Sequence, residues 1–452
     1  MVDEILEAAK PAAEKIRNHE GEIRLIGQYD ADGINATAIA HEMLDRLGKD
    51  FEYEIVKQLY EDGVERLAEE DEPLFLFVDI GSGQSEFIKE HIIDGAGKDV
   101  IVSDHHEPQI EGDFIHLNPH FFGHDGGEAI SAAGMTYLLA KAVDEDNEDL
   151  VKHALIGATG DVQKQDGEFI GLNEQIAEEA IEKGYIERRK ALDLYGRTTK
   201  PLTKSLMYTT DPYLEGVSNN ESGAVQLVKS AGIKLRENGD FRTLSDLDVE
   251  EEKQLINQMI KDGHPVQQLM NNVYMLDNGY EIGEFSTVIN ACGRLGEPKT
   301  GVKILLENDL ETAEKISRKY GRKISASLRY VENNEDNEEL VYERNIGVID
   351  GKDEIEDDFI GTVTTITMSN GKFNSPVVMG VAEAEKDKLK VSSRANKEVV
   401  EAGLNLGEVI GEICEECDGE GGGHNIAAGA KIPESEKQNF IDQLDSKIAE
   451  EV

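Results

Sequence analysis

Three apolar segments of this chain each run into acidic residues, and a histidine pair follows one of them. Leu25-Ile26-Gly27 leads through Gln28-Tyr29 to Asp30-Ala31-Asp32-Gly33. Leu74-Phe75-Leu76-Phe77-Val78 leads to Asp79-Ile80-Gly81, and Val100-Ile101-Val102-Ser103 leads to Asp104-His105-His106. A fourth acid, Asp161, closes Gly157-Ala158-Thr159-Gly160-Asp161 after an apolar run of helical spacing. Carboxylates gathered in one place repel, and burial raises their pKa values; divalent cations relieve that repulsion. A mixed carboxylate and imidazole set suits Mn²⁺, then Mg²⁺, and Zn²⁺ less. Two ions about 3.5–4 Å apart that share a bridging carboxylate serve in-line displacement at phosphorus.

Any one of these acids alone reads equally well as a helix N-cap or a turn former. All four segments together, with the histidine pair, favour a shared site. The elements around them say how they would meet. Glu22 to Gly27, Leu74 to Asp79 and Asp99 to Ser103 read as buried strands; Ile5 to Ile16, Asn35 to Leu47, Gln84 to Ile93, Ile130 to Val143 and Leu150 to Ala158 read as helices. Such alternation predicts an α/β domain with a parallel sheet, whose ligands sit beyond the carboxyl ends of its strands. Residues 173–268 read as mostly helical. A second α/β pattern begins near Asn290, with expected strands at Ile346 to Ile349, Thr362 to Thr367, Val377 to Val381 and Leu389 to Ser392, and an acidic loop at Asn333 to Glu339. The expected organisation is a domain over 1–190, a helical insert or linker over 191–285, and a smaller C-terminal α/β domain over 286–452, with a cleft between the two α/β domains.

Composition excludes several classes. Lys and Arg number 46 against 93 Asp and Glu, for a formal net charge of −47, and 39% of residues are hydrophobic. The acids are spread along the chain between recurring apolar runs, which is the pattern of a folded protein and not of a disordered tail. A carboxylate-covered surface fits a salt-rich cytoplasm, because at 1 M salt the Debye length is about 3 Å and self-repulsion fades. We therefore read the charge as adaptation to a halophilic, cytoplasmic setting. No run of about 18 apolar residues is present to span a membrane, and Met1 to Lys10, with three acids and one base, matches neither a signal nor a transit peptide. Three cysteines do not make a disulfide framework.

The four motifs resemble those of the DHH phosphoesterase superfamily. The second half agrees: Asn290-Ala291-Cys292-Gly293-Arg294-Leu295-Gly296 is similar to a segment of RecJ-type exonucleases, and Ser392-Ser393-Arg394 and Gly421-Gly422-Gly423-His424 resemble the substrate-binding motifs of the DHH-associated C-terminal domain. The acidic composition and helical insert most resemble archaeal RecJ-like nucleases, including the GINS-associated type. The resemblance implies a metal-dependent single-strand exonuclease on DNA, and on RNA as a further substrate, with 5′→3′ polarity, acting in replication or repair. By the same resemblance Asp79 bridges two Mn²⁺ ions, Asp30 holds the first, and Asp32, His105 and Asp161 hold the second. His106 contacts the scissile phosphate and Asp104 orients the histidines. Arg294, Ser392, Ser393, Arg394, Gly421, Gly422, Gly423 and His424 grip the substrate.

One departure stands out. The family usually places a histidine or acid two or four positions before Asp30, where this chain has Gln28 and Ile26. A neutral amide oxygen is a poorer ligand, so the first ion is expected to be held weakly. That keeps a second reading in view, a non-catalytic scaffold docking on GINS and the replicative helicase. A third is a phosphodiesterase of short oligonucleotides or cyclic dinucleotides. Elsewhere, Cys414-Glu415-Glu416-Cys417 lacks the further ligands of a zinc site, and the glycine run near 421 lacks the Lys-Ser/Thr of a Walker loop.

Overall fold

The computed structural model describes residues 2–112, 114–209, 212–335, 337, 339–384 and 387–451. The chain forms two compact units, Met1–Ile316 and Ser317–Val452. In the first, strands β1 (Ile23–Gln28), β2 (Phe51–Val56), β3 (Leu74–Val78), β4 (Asp99–Ser103) and β5 (Ile115–Leu117) pair in the order β2-β1-β3-β4-β5, all parallel. β3 is buried at every position, as a central parallel strand covered on both faces must be. Helix α1 (Val2–Asn18) packs on Ala132–Val143, which in turn packs on helix α2 (Ala31–Arg46) and on Val151–Gly160. Phe75, Phe77, Val100 and Val102 instead join Val64, Leu67, Ile88 and Ile92 in a separate cluster.

The chain leaves β1 toward β2 and returns to pair β3 on the other side of β1, so strand order reverses between β1 and β3. A crevice opens at such a switch point, beyond the carboxyl ends of the strands. The helices Ile282–Arg294 and Pro298–Glu307, read from the sequence as the start of the C-terminal domain, pack on Val151–Gly160 and on α2 and lie within the first compact unit.

The stretch read as mostly helical, 173–268, contains one longer strand, and a second follows just beyond it. Ile186–Leu192 pairs antiparallel with Met270–Leu276, framing the helices Leu202–Tyr208, Glu221–Ser230 and Val249–Lys261. The charged run Glu187-Arg188-Arg189-Lys190 hides this strand from a hydrophobicity reading, since only Ile186, Ala191 and Leu192 are buried in it.

The second unit carries a six-stranded sheet in the order 341–343, 347–350, 377–383, 388–395, 427–433, 420–423. Thr362 to Thr367 is not a strand. It lies inside the helix Asp357–Ser369, which buries Phe359, Ile360, Val363, Thr364 and Thr367 at helical spacing. The β-branched run suggests a strand by propensity, but Thr364 Oγ1 donates to the Ile360 carbonyl at 2.7 Å and Thr365 Oγ1 to that of Gly361 at 2.9 Å. Those bonds to the preceding turn satisfy the hydroxyls within the helix. Of the acidic loop read at 333–339, positions 336 and 338 lie outside the described residues.

Candidate metal centre

Register brings the motifs together. Gly27 of β1 stands opposite Val78 of β3, and Val78 opposite Ser103 of β4. The three chains therefore leave the sheet at one edge, and the residues that follow are the acidic ones.

After β1 the chain turns directly into α2. Asp30 is the N-cap of that helix and accepts from Gly33 N at 3.0 Å. Gly33 is required by close approach: a Cβ there would lie 2.5 Å from the Gln28 carbonyl oxygen. Asp32 is buried and accepts at both oxygens, from Ala132 N at 2.7 Å and Ala133 N at 3.1 Å, at the start of the helix Ala132–Val143. A carboxylate at a helix N-terminus is favoured by the dipole. The Gln28 side-chain amide lies against both acids, its end 2.8 Å from Asp30 Oδ2 and 3.2 Å from Asp79 Oδ2.

Asp79 is 1% exposed and adopts φ +59°, a left-handed conformation that Asp visits more readily than bulky residues do. Its N–H donates to the Ser103 carbonyl at 3.0 Å. Oδ1 is buried and has no hydrogen-bond partner, with His105 Nε2 at 3.6 Å and His106 Nδ1 at 3.8 Å. Burial pushes the Asp79 carboxyl well above its ordinary range, and the charges of Asp30 and Asp32 push it further. A buried carboxylate oxygen without a partner is costly unless something cationic meets it.

Asp104 does the opposite. Its Oδ2 accepts from Ser82 N at 2.9 Å, and Oδ1 accepts from His105 N at 2.7 Å and pairs with His106 Nδ1 at 2.8 Å. Burial alone would raise this carboxyl, but the hydrogen bond and charge of His106 hold it far below the usual range. For His106, burial favours the neutral ring and the Asp104 bond outweighs it, lifting the imidazole to about 9. Nδ1 is thus committed to Asp104, while the ring is 49% exposed. Asn118 fixes this loop, donating to the His106 carbonyl and to Ser82 Oγ, each at 2.8 Å.

His105 is held by the Gly126 carbonyl, 3.0 Å from Nδ1, which leaves Nε2 toward Asp79. The same carbonyl accepts from Gln163 Nε2 at 2.8 Å, and Gln163 also donates to Asp161 Oδ2 at 2.8 Å. Asn173 donates to Gln163 Oε1 at 2.7 Å. Burial raises Asp161 to about 7, with the Asp32 charge adding to it. At this site two groups of donor atoms each lie within 4.8 Å of one another, Asp79 with Asp104, His105 and His106, and Asp32 with His105 and Asp161; a third group among the described residues, Glu61, Glu65 and His91, lies elsewhere. Carboxylates and imidazole within that reach, one oxygen orphaned, match the donor set a divalent ion requires.

Of the residues read as substrate-binding, Arg294 ends the helix Ile282–Arg294 beside the β1–α2 turn: a Cβ on Gly293 would stand 1.9 Å from the Tyr29 carbonyl oxygen. The others gather in the second unit. Ser392 pairs with Gly429, which pairs with Gly422; Ser393 pairs with Ala428, which pairs with Gly423. Arg394 Nη1 donates to Ser392 Oγ at 3.1 Å and Nε to Thr365 Oγ1 at 3.0 Å. His424 sits in the turn that joins the edge strand 420–423 to its neighbour 427–433, its N–H donating to the Ala427 carbonyl at 2.9 Å. Sequence reading missed Ser82, Asn118, Gln163 and Asn173. Neutral amides and hydroxyls far along the chain carry no local signal of their partners; only their proximity in the fold exposes them. Cys292, Cys414 and Cys417 are buried free thiols, and burial raises Cys414 to about 11.

An open sheet with a switch-point cluster of aspartates and a histidine pair defines a DHH-type phosphoesterase architecture. The DHH family N-terminal domain is matched over residues 22–159, the DHH-CID domain over 194–273 and the DHHA1 domain over 348–450. An uncharacterized protein of Methanocaldococcus jannaschii is 32% identical over 99% of this chain and 98% of its own length. The single-stranded-DNA-specific exonuclease RecJ of Thermus thermophilus is 38% identical over 150 residues, 31% of this chain and 21% of that protein. Its Mn²⁺-bound crystal structure superposes with a TM-score of 0.59 at 20% identity, covering 99% of this chain and 55% of that one, so this chain spans about half the length of that RecJ. CDC45 of Entamoeba histolytica shares the fold with a TM-score of 0.65 at 13% identity, covering 98% of this chain and 99% of that one. The chain belongs to the DHH superfamily and is RecJ-like. No helix among the described residues is long and apolar enough to cross a membrane.

Proposed function

We propose that this chain is a Mn²⁺-dependent, single-strand-specific exonuclease that hydrolyses phosphodiester bonds of DNA, with RNA as a second substrate and 5′→3′ polarity. The observation that carries the reading is the orphaned, buried Asp79 Oδ1 facing His105 Nε2 at the switch point. In this reading Asp30, Asp32, Asp79, His105 and Asp161 would hold the divalent metal. When bound, it supplies a water of lowered pKa and neutralises charge on the phosphate. His106, fixed by Asp104 and protonated at neutral pH, turns its free Nε2–H to a non-bridging oxygen of the scissile phosphate. Water oxygen bonds to phosphorus as the ester oxygen departs and takes a proton. Arg294 grips the strand backbone near this site, and Ser392, Ser393, Arg394, the backbone of Gly421 to Gly423, and His424 provide a phosphate grip on the second unit.

The departure at Gln28, with the fold shared with CDC45, supports a second reading, a replication scaffold that docks on GINS without chemistry of its own. One experiment separates them. End-labelled single-stranded DNA is incubated with Mn²⁺ in molar KCl, wild type beside Asp79→Ala. The nuclease reading expects stepwise shortening that needs Mn²⁺ and falls about 10²–10³-fold in Asp79→Ala, the size of loss when an electrostatic stabiliser is removed. Equal, metal-independent cleavage by both proteins, or none by either, would reject it. A dinucleotide offered in the same assay tests the short-substrate alternative, which expects faster turnover of the dinucleotide than of the long strand.

A further inference from the structure

In a chain with 93 acids against 46 bases, residues 317–331 invert the balance: they carry Arg318, Lys319, Arg322, Lys323 and Arg329 and no acid. They belong to the part of the helix Leu310–Asn333 that lies in the second unit. Arg318, Arg322 and Arg329 follow one another at steps of four and seven, so at about 3.6 residues per turn they form one line along the helix. All three are exposed, while Ile324, Ser327 and Val331 are buried on the opposite side. On that side too, Tyr320 Oη lies 3.2 Å from Thr362 Oγ1 and its ring packs on Phe359, which docks the helix on Asp357–Ser369 and turns the arginine line outward. Elsewhere Arg24, Arg46, Arg66, Arg242 and Arg344 each meet a carboxylate. Arg322 and Arg329 meet none among the described residues. Arg322 Nε donates instead to the Arg318 carbonyl at 3.2 Å, and Arg329 Nε to the Ser325 carbonyl at 3.1 Å. Each guanidinium is thus laid back along its own helix by one donor, and its two terminal nitrogens have no partner among the described residues.

A solvated charged face is the ordinary fate of such residues, but a face of that kind is usually laced with acids three or four positions away. Here Arg318 and Arg322 are a like-charge pair at i, i+4, an arrangement that weakens a helix, so the fold gains nothing from the line. Resting on the nuclease reading and deepening it, we infer that Arg318, Arg322 and Arg329 form a second contact for the backbone of a long single strand, apart from the grip around Arg394. A planar fork of N–H donors matches phosphate oxygens better than an ammonium does, and several forks in a line meet several phosphates of one strand. The net charge of −47 does not forbid this. At molar salt, charges beyond about 3 Å are screened, so a strand feels the guanidinium groups it touches and not the remote carboxylates.

The test counts phosphate contacts and does not depend on turnover. Binding of dye-labelled oligo(dT) to the full chain is followed by fluorescence anisotropy in EDTA across a series of KCl concentrations. Each phosphate contact on a single strand adds about 0.7 to the slope of log K against log [KCl]. The triple variant Arg318→Gln, Arg322→Gln, Arg329→Gln is expected to lower that slope by about 2, and each single replacement by about 0.7, so the single variants decide if the triple one does not fold. A control, Lys229→Gln, Lys253→Gln, Lys261→Gln, removes the same charge from exposed positions on two helices of the first unit and is expected to keep the slope. An unchanged slope in the arginine variants, or an equal loss in the control, would overturn the inference. So would equal displacement of the oligonucleotide by polyglutamate, which would give the line to an acidic protein instead, and so would a wild type that shortens the strand with Mn²⁺ yet does not bind it in EDTA. A wild type that neither binds the strand nor shortens it would overturn the nuclease reading itself, a result distinct from these.

Discussion

At the residue scale, two neighbouring carboxyls are driven in opposite directions by what they touch. Asp104 meets three backbone donors and an imidazolium and stays ionised; Asp79, a strand away, meets burial and like charge. Asp104 in turn sets the charge of His106. If protonated His106 assists the reaction, kcat/KM should fall on the alkaline side near pH 9, and Asp104→Asn should move that limb toward the ordinary histidine value near 6.5. A limb that stays put in Asp104→Asn would remove His106 from the role. Asp161 makes a prediction for stability. Its folded carboxyl titrates near 7, above the 3.8 of an unperturbed Asp, so between those values the native state binds more protons than the unfolded one. Stability of the metal-free protein should therefore fall as pH rises from about 4 to 7. Asp161→Asn should flatten that part of the profile, and saturating Mn²⁺ should do the same for wild type; thermal melts across that range check both, and an unchanged slope in the variant would assign it to other groups.

The elements serve the site through close approach. Gly33 lets α2 begin against the Gln28 carbonyl, and Gly293 lets the helix Ile282–Arg294 abut the Tyr29 carbonyl. Gly33→Ala places a Cβ 2.5 Å from backbone oxygen, an overpacking that should cost about 1–3 kcal/mol in stability. Because the displaced segment carries Asp30 and Asp32, Mn²⁺ affinity measured by calorimetric titration should fall with it. Full affinity in a destabilised Gly33→Ala would show that the turn tolerates the shift. The strands were legible as apolar runs, and so were the acids at their ends. Thr362 to Thr367 was not, because β-branched content argues for a strand while only the spacing of Phe359, Ile360, Val363 and Thr367 reveals the helix. The strand Ile186–Leu192 escaped for a related reason: one charged run fits an exposed helix face and a half-exposed strand equally well.

Across the whole molecule, 93 acidic residues face 46 basic ones, and the bases are shared among several acids. Arg24 meets Glu52, Glu54 and Glu70, and Arg66 meets Glu54 and Glu70. Exposed pairs contribute about 0–1 kcal/mol each, and neither they nor the part-buried pairs of Arg24 offset a net charge of −47. Screening should therefore stabilise the fold, and the melting temperature should rise steadily from ~0.1 M to ~2 M KCl, where the Debye length drops from about 10 Å to less than 3 Å. A melting temperature independent of salt would detach the acidity from any salt-rich setting.

By itself the sequence determined which side chains could bind a cation, that they follow buried strands, and that the first domain is α/β, because hydrophobic period and residue chemistry are local properties. The tertiary structure alone decided that β1 and β3 flank the switch point, that Gln28 lies against Asp30 and Asp79, and that Gln163 and Asn118 hydrogen-bond Asp161 and the His106 carbonyl. Those facts are pairings between residues tens of positions apart, and a hydrogen bond depends on separations of a few ångströms that only the folded backbone sets.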